Sequence, residues 1–372
     1  MPRTYDVAVL GATVAGLAAA RHLGRNGCDV VVIDAPVGDT ECPLGEWVGR
    51  DFFALAHLPK SLAADCRARP FKLVRYHSAG LNSQVEYKAR SAAGYFLRAG
   101  NLIRAMRAAA RRAKATVRRE PIQPAVHLEE EGVRLAGVTQ TRARLLLVAQ
   151  DRPNRVLAEL GLPVGQVTKS HLSAAAVDVP LRVTGAWAKL KGILHVVASG
   201  RHGELGLFFV LGPLLHLRVV SCQPSCGDGT AGLSTMITRL QEARILPGKL
   251  ALGRARGAVW CPPAGVALEM ETHAAKRCLL AGTAGGFVET ITGQTLLPSV
   301  RSAILAAKTI LAALQSKDPQ GTLMSFKSSW RKALADYIRP PNTSLQMLLP
   351  LLFANRRIVG KFTRAVLYGQ DI

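Results

Sequence analysis

Aromatic side chains are scarce: Phe, Trp and Tyr together make up 5% of 372 residues. Surfaces for single-stranded nucleic acid combine basic side chains with stacking aromatics. The densest basic stretch, 98–119, is therefore expected to be a solvated helix face, which argues against a nucleic-acid partner. Acidic residues are also few. With 25 Asp and Glu against 48 Lys and Arg the formal net charge is +23, a field that favours anionic partners without selecting among nucleic acid, lipid head groups and phosphorylated cofactors. The seven cysteines include no Cys-x-x-Cys redox pair, and their odd, scattered spacing points to a reducing compartment, read as the cytoplasm. Cys222, Cys226 and Asp228 come nearest to a metal motif, but no second ligand pair accompanies them and no metal is expected. None of the nine histidines sits beside a nucleophile or metal motif, so each is expected to be structural. A long uninterrupted apolar run is missing as well: 205–220 contains Gly212, Pro213, His216 and Arg218 and is too short and interrupted to span a bilayer. The stretch 7–20 is apolar but follows Asp6, with Arg3 as its one preceding basic residue, unlike a secretion signal. Walker A motifs, zinc-protease motifs, heptads and solenoid-length repeats are absent. What remains is a globular composition, 49% hydrophobic and 20% charged, long enough for two or three domains.

The informative segment is "VAVLGATVAGLAAARHL", beginning at Val7. A β-branched run ends at Leu10, 11–16 is a glycine turn, 17–26 reads as an Ala-rich helix stopped by Gly27, and "DVVVI" follows as a buried strand. In a dinucleotide-binding turn the first glycine permits the tight turn, the second admits the pyrophosphate and the third lets helix and strand pack closely. Gly11 and Gly16 fill the outer roles. Thr13 stands at the middle one, which predicts a slightly displaced pyrophosphate or a weaker site. The amino terminus of the helix, at Val14 and Ala15, would offer N–H groups and a positive dipole end to phosphates. Asp34, 23 residues after Gly11, is placed to accept from a ribose. An ordinary buried strand and helix is the plainer alternative.

Further along, "FKLVRYHSA", "QVEYKARSA" and "GYFLRAG" read as strands that leave the first sheet. A helix is expected over 102–115, then a β-meander at 126–128, 133–138 and 143–149 whose last strand returns to a buried sheet. Residues 167–260 are mostly strand, with one amphipathic helix near 233–244. "CLLA" at 278–281 is a short buried strand before a glycine turn and a long helix, 298–315. The tail is helical and basic, and pairs "LQMLLPLLF" with Arg356, Arg357, Lys361 and Arg364. It could lie on a membrane surface or cover the second domain.

Several segments together resemble flavoprotein oxidoreductases of the geranylgeranyl reductase and para-hydroxybenzoate hydroxylase type. "PLGEWVGRDFFALAHL" looks like that family's flavin-facing glycine loop, with Gly45 and Glu46 at matching positions. "GYFLRAGNLIRAM" is similar to the segment in which an arginine, here Arg98, approaches the cofactor. "LLLVAQDRPNRVLAELGL" resembles the strand ending in Ala-Asp-Gly, keeping Asp151 and carrying Arg152 in place of glycine. "LLAGTAGGFVETITGQTLLPSVRSAILAA" resembles the second FAD signature, with Gly282, Gly286, Thr292 and Gly293 in place. In that segment Thr283 occupies the aspartate position, and Gln294-Thr295 replaces Glu-Gly.

The resemblance, over roughly residues 5 to 310, implies an α/β fold. A Rossmann-like FAD/NAD(P)-binding domain, doubly wound with a β-meander, carries an inserted antiparallel-sheet substrate domain. The corresponding division is 1–70, 97–165 and 275–325 for FAD, 71–96 and 166–274 for substrate, and 326–372 as a basic helical C-terminal segment. It implies FAD as cofactor, with NAD(P)H as a candidate transient reductant and hydride transfer through flavin N5 as the chemistry. No protein acid or base is assigned. The runs "ILHVVA" and "LGLFFVLGPLLHL" suggest a hydrophobic small-molecule substrate. The same resemblance also covers monooxygenases, and a non-catalytic protein of flavoprotein fold is a further alternative.

Overall fold

The computed structural model describes residues 3–35, 44–164, 172–181, 185–199, 204–221, 230–247, 250, 256–262, 265–339 and 345–368. Cys222, Cys226 and Asp228 lie outside them.

The chain opens with β1 (Thr4–Leu10), α1 (Val14–Arg25), β2 (Val30–Asp34) and β3 (Gly45–Gly49). After α2 (Leu62–Asp65) come β4 (Arg69–Phe71), β5 (Leu73–His77), β6 (Gln84–Lys88) and β7 (Gly94–Arg98). Helix α3 (Ala99–Arg112) leads to β8 (Thr116–Arg119), β9 (Ala125–Leu128), β10 (Val133–Ala136), β11 (Thr141–Val148) and α4 (Asn154–Glu159). The middle of the chain forms β12 (Ser173–Pro180), β13 (Ile193–Ala198), β14 (Glu204–Leu211), β15 (Leu214–Ser221), α5 (Thr230–Glu242) and β16 (Arg256–Trp260). It closes with β17 (Ala274–Ala275), β18 (Cys278–Leu280), α6 (Leu296–Gln315), α7 (Pro319–Met324), α8 (Phe326–Ile338), α9 (Leu345–Ala354) and α10 (Arg356–Tyr368).

The first sheet runs β17-β18-β11-β1-β2-β8, with β10 and β9 extending from β11 as the meander. Pairing of β18, β11, β1, β2 and β8 is parallel throughout. Strands buried on both faces must be apolar at every position, which is why "VAVL", "VVVI" and "LLLV" read as unbroken runs. Alternation then divides them between two layers. Val7, Val9, Leu145 and Leu147 pack with α1, α3, α6 and α8, whereas Ala8, Leu10, Leu146 and Val148 pack with the meander and α4. Helix α6 is long and apolar enough to cross a membrane, and 72% of its most apolar window is buried inside the protein. The run at 205–220 is instead the β14–β15 hairpin, its Gly212-Pro213 break forming the turn.

The second sheet has seven strands in the order β16-β12-β15-β14-β13-β5-β6. It is antiparallel except where β13 meets β5, which is parallel. Its inner face carries Ala174, Leu194, Val196, Leu207, Phe209 and Val220, and its outer face packs on α5 through Val197, Phe208, Leu217 and Val219. A three-stranded sheet, β3-β7-β4, lies apart from both. The basic tail packs on this part of the molecule: Leu352, Val359, Phe362 and Val366 are buried in the inner-face cluster, and Tyr76 Oη lies 2.7 Å from Thr363 Oγ1.

Candidate cofactor site

The two glycine turns, about 270 residues apart in the chain, meet. A Cβ on Gly282 would stand 2.6 Å from Ala15 Cβ, and Gly282 holds φ +63°. The first turn is equally tight: a Cβ on Gly16 would lie 2.1 Å from the Gly11 carbonyl oxygen, and one on Gly11 would lie 2.7 Å from Gln150 Cα. Gly11 and Gly16 thus let β1, α1 and the end of β11 come within backbone contact.

Thr13 is the N-cap of α1. Its hydroxyl accepts from the Gly16 N–H at 3.2 Å and donates to the Ala149 carbonyl at 2.5 Å. The Val14 and Ala15 N–H groups have no acceptor among the described residues. Helix amino-terminal N–H groups left this way, backed by the helix dipole, suit a phosphate. They are the observation by which the residues present fit the pyrophosphate of a dinucleotide.

Asp34, at the end of β2, pairs with Arg107 of α3 at 2.5 Å through Oδ2. The pairing leaves Oδ1 as the oxygen available to a ribose. Gly45 and Arg98 are opposite each other in the β3–β7 pair. Arg98 is exposed and makes no hydrogen bond or ion pair among the described residues, so its guanidinium is free for an anion. Glu46 is not free: its Oε1 accepts from Arg218 of β15 at 2.5 Å. The Gly45 N–H donates to Asp178 of β12, at 3.0 Å to Oδ2. Gly45 and Glu46 therefore tie the three-stranded sheet directly to the second sheet.

At the second signature, Thr283 donates to Asp151 Oδ1 at 2.7 Å, so these two positions reach each other. Gly286 serves packing: a Cβ there would stand 2.2 Å from the Gly265 carbonyl oxygen. The turn before α6 is organised by a residue the sequence does not single out. Buried Glu289 accepts from the N–H of Ile291 at 2.7 Å and from the N–H and hydroxyl of Thr292 at 2.9 and 2.5 Å. Burial pushes its carboxyl up, and the bonds from Thr292 and Ile291 pull it back. Gly293, φ +64°, brings the turn against the second sheet, where a Cβ would lie 3.1 Å from Val220 Cγ2. Gln294 donates to the Trp47 carbonyl at 3.3 Å and accepts from the Leu297 N–H at 3.2 Å, capping α6 and joining it to β3.

No family model matches the sequence, and no curated protein does. Solved structures do match. A geranylgeranyl bacteriochlorophyll reductase-like protein from Thermoplasma acidophilum aligns with TM-score 0.75 at 16% identity, over 99% of this chain and 97% of that one. The flavin-dependent brominase Bmp2 aligns with TM-score 0.69 at 15% identity, over 97% and 93%. A p-nitrophenol 4-monooxygenase from Pseudomonas putida aligns with TM-score 0.66 at 17% identity, over 99% and 98%. This chain has the fold of the flavin-dependent oxidoreductases.

Proposed function

We propose that the protein is an FAD-dependent oxidoreductase whose substrate is held against the largely apolar inner face of the seven-stranded sheet. The observation that carries this reading is the meeting of the two glycine turns at Gly282 and Ala15, beside the unpartnered N–H groups of Val14 and Ala15. When bound, FAD supplies hydride acceptance and donation, chemistry that belongs to the cofactor. The chain's own contributions are phosphate binding at the α1 amino terminus, an anion contact from Arg98, a ribose acceptor at Asp34 and exclusion of water by the inner-face cluster. That face is apolar at Leu194, Val196, Leu207 and Phe209, the last already stacked on Phe96, and this apolar character is what supports a hydrophobic substrate. The buried thiols Cys66 and Cys278 accord with a reducing, cytoplasmic setting, and burial pushes the Cys66 thiol up to about 11.

The test is an absorption spectrum of the purified protein with and without added FAD, followed by reduction with NADH or NADPH under argon and in air. A bound flavin spectrum bleached by either nicotinamide under argon is the expected result. Hydroxylated product formed in air, one oxygen atom entering the substrate and the other leaving as water, would move the reading from reductase to monooxygenase. A protein that binds no flavin would leave the fold without this function.

A further inference from the structure

Among the described side chains, β12 and β15 give the largely apolar inner face of the second sheet one charged group. Asp178 of β12 and His216 of β15 are directly opposite in register, and Ala176 is opposite Arg218. Because alternate residues of a strand share a face, Asp178, His216 and Arg218 project together. Asp178 is 5%, His216 2% and Arg218 5% exposed. Gly45 packs on His216, where a Cβ would lie 3.1 Å from His216 Cβ, and Gly293 packs on Val220. His216 and Val220 are four residues apart on β15, about 13 Å at strand rise. Arg218 and Leu207, opposite each other in register, therefore roof the span between the two turns.

The hydrogen bonding of this patch is incomplete in one sense only. Asp178 Oδ1 lies 2.7 Å from His216 Nδ1, and both Asp178 oxygens also accept from the Gly45 N–H. A carboxylate can only accept, so Nδ1 donates to it, and in the neutral ring Nε2 presents a lone pair. That Nε2 is buried and has no partner, and neither has Glu46 Oε2. His216 Nε2 and Glu46 Oε2 thus lie unpartnered beside one glycine, while Arg218 is engaged by Glu46. Phe209 borders the imidazole, with ring centroids 4.9 Å apart. A patch built this way takes a hydrogen-bond donor next to an apolar body.

We infer that His216, oriented by Asp178, is the specificity-determining acceptor for a hydroxyl group on a ligand held against the inner face of this sheet. The assignment rests on the proposed function for the location of the ligand. It adds that the ligand is hydrophobic with one hydroxyl, rather than hydrophobic throughout, and gives Asp178 the part of positioning residue.

Two probes differing only in the donor test it: 2-naphthol and 2-methoxynaphthalene, titrated calorimetrically into the full-length protein with FAD added. The hydroxyl probe is expected to bind at least about tenfold tighter, since the ether leaves a buried acceptor unpaired. His216→Phe is expected to bring the two affinities within about twofold of each other. Should that variant fail to fold, nitrogen NMR of selectively labelled histidine in the unaltered protein gives an independent readout. The Nε2 resonance is expected at a lone-pair position, moving with 2-naphthol and not with its ether. Equal affinities, no binding of either probe, or an Nε2 resonance that is protonated or unmoved overturns the inference. Flavin uptake is read separately by absorbance, so a protein that binds FAD but does not discriminate the probes loses this inference and keeps the proposed function.

Discussion

Replacing Gly16 by alanine tests the whole construction of the α1 turn. Gly16 has an ordinary helical backbone, so the substitution introduces no dihedral strain and the effect is purely steric. The new Cβ would stand 2.1 Å from the Gly11 carbonyl oxygen and 3.1 Å from Val9 Cγ1, where ordinary contact begins at 3.4 Å. Both neighbours are held, the first by backbone and the second in the sheet core, so α1 must move outward by about the missing 1.3 Å. Overpacking of this kind costs about 3 kcal/mol when no side chain can yield, and the better helix propensity of alanine returns up to about 1 kcal/mol. A net loss of about 2 kcal/mol is expected, seen as a melting temperature several degrees lower. The same movement misaligns the Val14 and Ala15 N–H groups, and losing charge-assisted bonds of about 1.5–3 kcal/mol each weakens FAD binding at least tenfold. Gly185→Ala is the control, because nothing lies within 4 Å of its Cβ position. Calorimetric melting and flavin titration of both variants decide the matter: wild-type stability and affinity in Gly16→Ala would refute the reasoning.

Four other outcomes follow from buried groups. His273 is 1% exposed, and burial drops its imidazole from 6.5 to about 4. The unfolded chain therefore takes a proton that the folded one refuses. Stability from this residue is complete above pH 6.5, falls as pH drops towards 4 by roughly 3 kcal/mol in all, and is level below that; a urea midpoint unchanged across this window contradicts it. Glu289→Gln places an amide NH₂ against N–H donors now satisfied by a carboxylate, and is expected to cost about 2–4 kcal/mol in urea unfolding. Phe362→Ala removes a ring that is 1% exposed and 5.8 Å from the Tyr76 ring. A loss of about 3–5 kcal/mol is expected, whereas a negligible loss would mean that α10 is not docked. Thr13→Gly keeps an acceptable N-cap residue but loses the bond to Ala149, so a loss of about 1 kcal/mol is expected by the same measurement.

What could be read from the sequence was what is local. The β1-α1-β2 unit shows itself because a strand buried on both faces is apolar without interruption and the turn after it needs glycine. The meander, the β14–β15 hairpin and α6 are likewise marked by their own residues, and the reading erred mainly at their ends. Helix α6 begins at Leu296 rather than Pro298 because Gln294 reaches forward to the Leu297 N–H. What could not be read is what joins distant strands. Asp34 meets Arg107 across 73 positions, and His216 meets Asp178 across 38. One signal was available: in "LLHLRVVS" two polar residues stand two apart inside an apolar strand, which puts both on one face.

The residues by which this sequence departs from the pattern it resembles share a property. Thr13 replaces a glycine and binds the Ala149 carbonyl, 136 positions away. Thr283 replaces an aspartate and binds Asp151, 132 positions away. Gln294 replaces a glutamate and binds the Trp47 carbonyl, 247 positions away. Arg152 replaces a glycine and reaches the Val259 carbonyl at 3.4 Å. Each puts a side chain that bonds the protein where the resembled pattern has a glycine or an acid. Bonds of about 1 kcal/mol each thus hold together segments that only the fold makes neighbours. On the FAD reading the consequence is uneven along the cofactor. Asp151 and Thr283 answer each other, whereas the Val14 and Ala15 N–H groups and Asp34 Oδ1 remain for a ligand. Affinity should therefore come mainly from the ADP half, which places the burden of FAD binding on the turn built by Gly11 and Gly16.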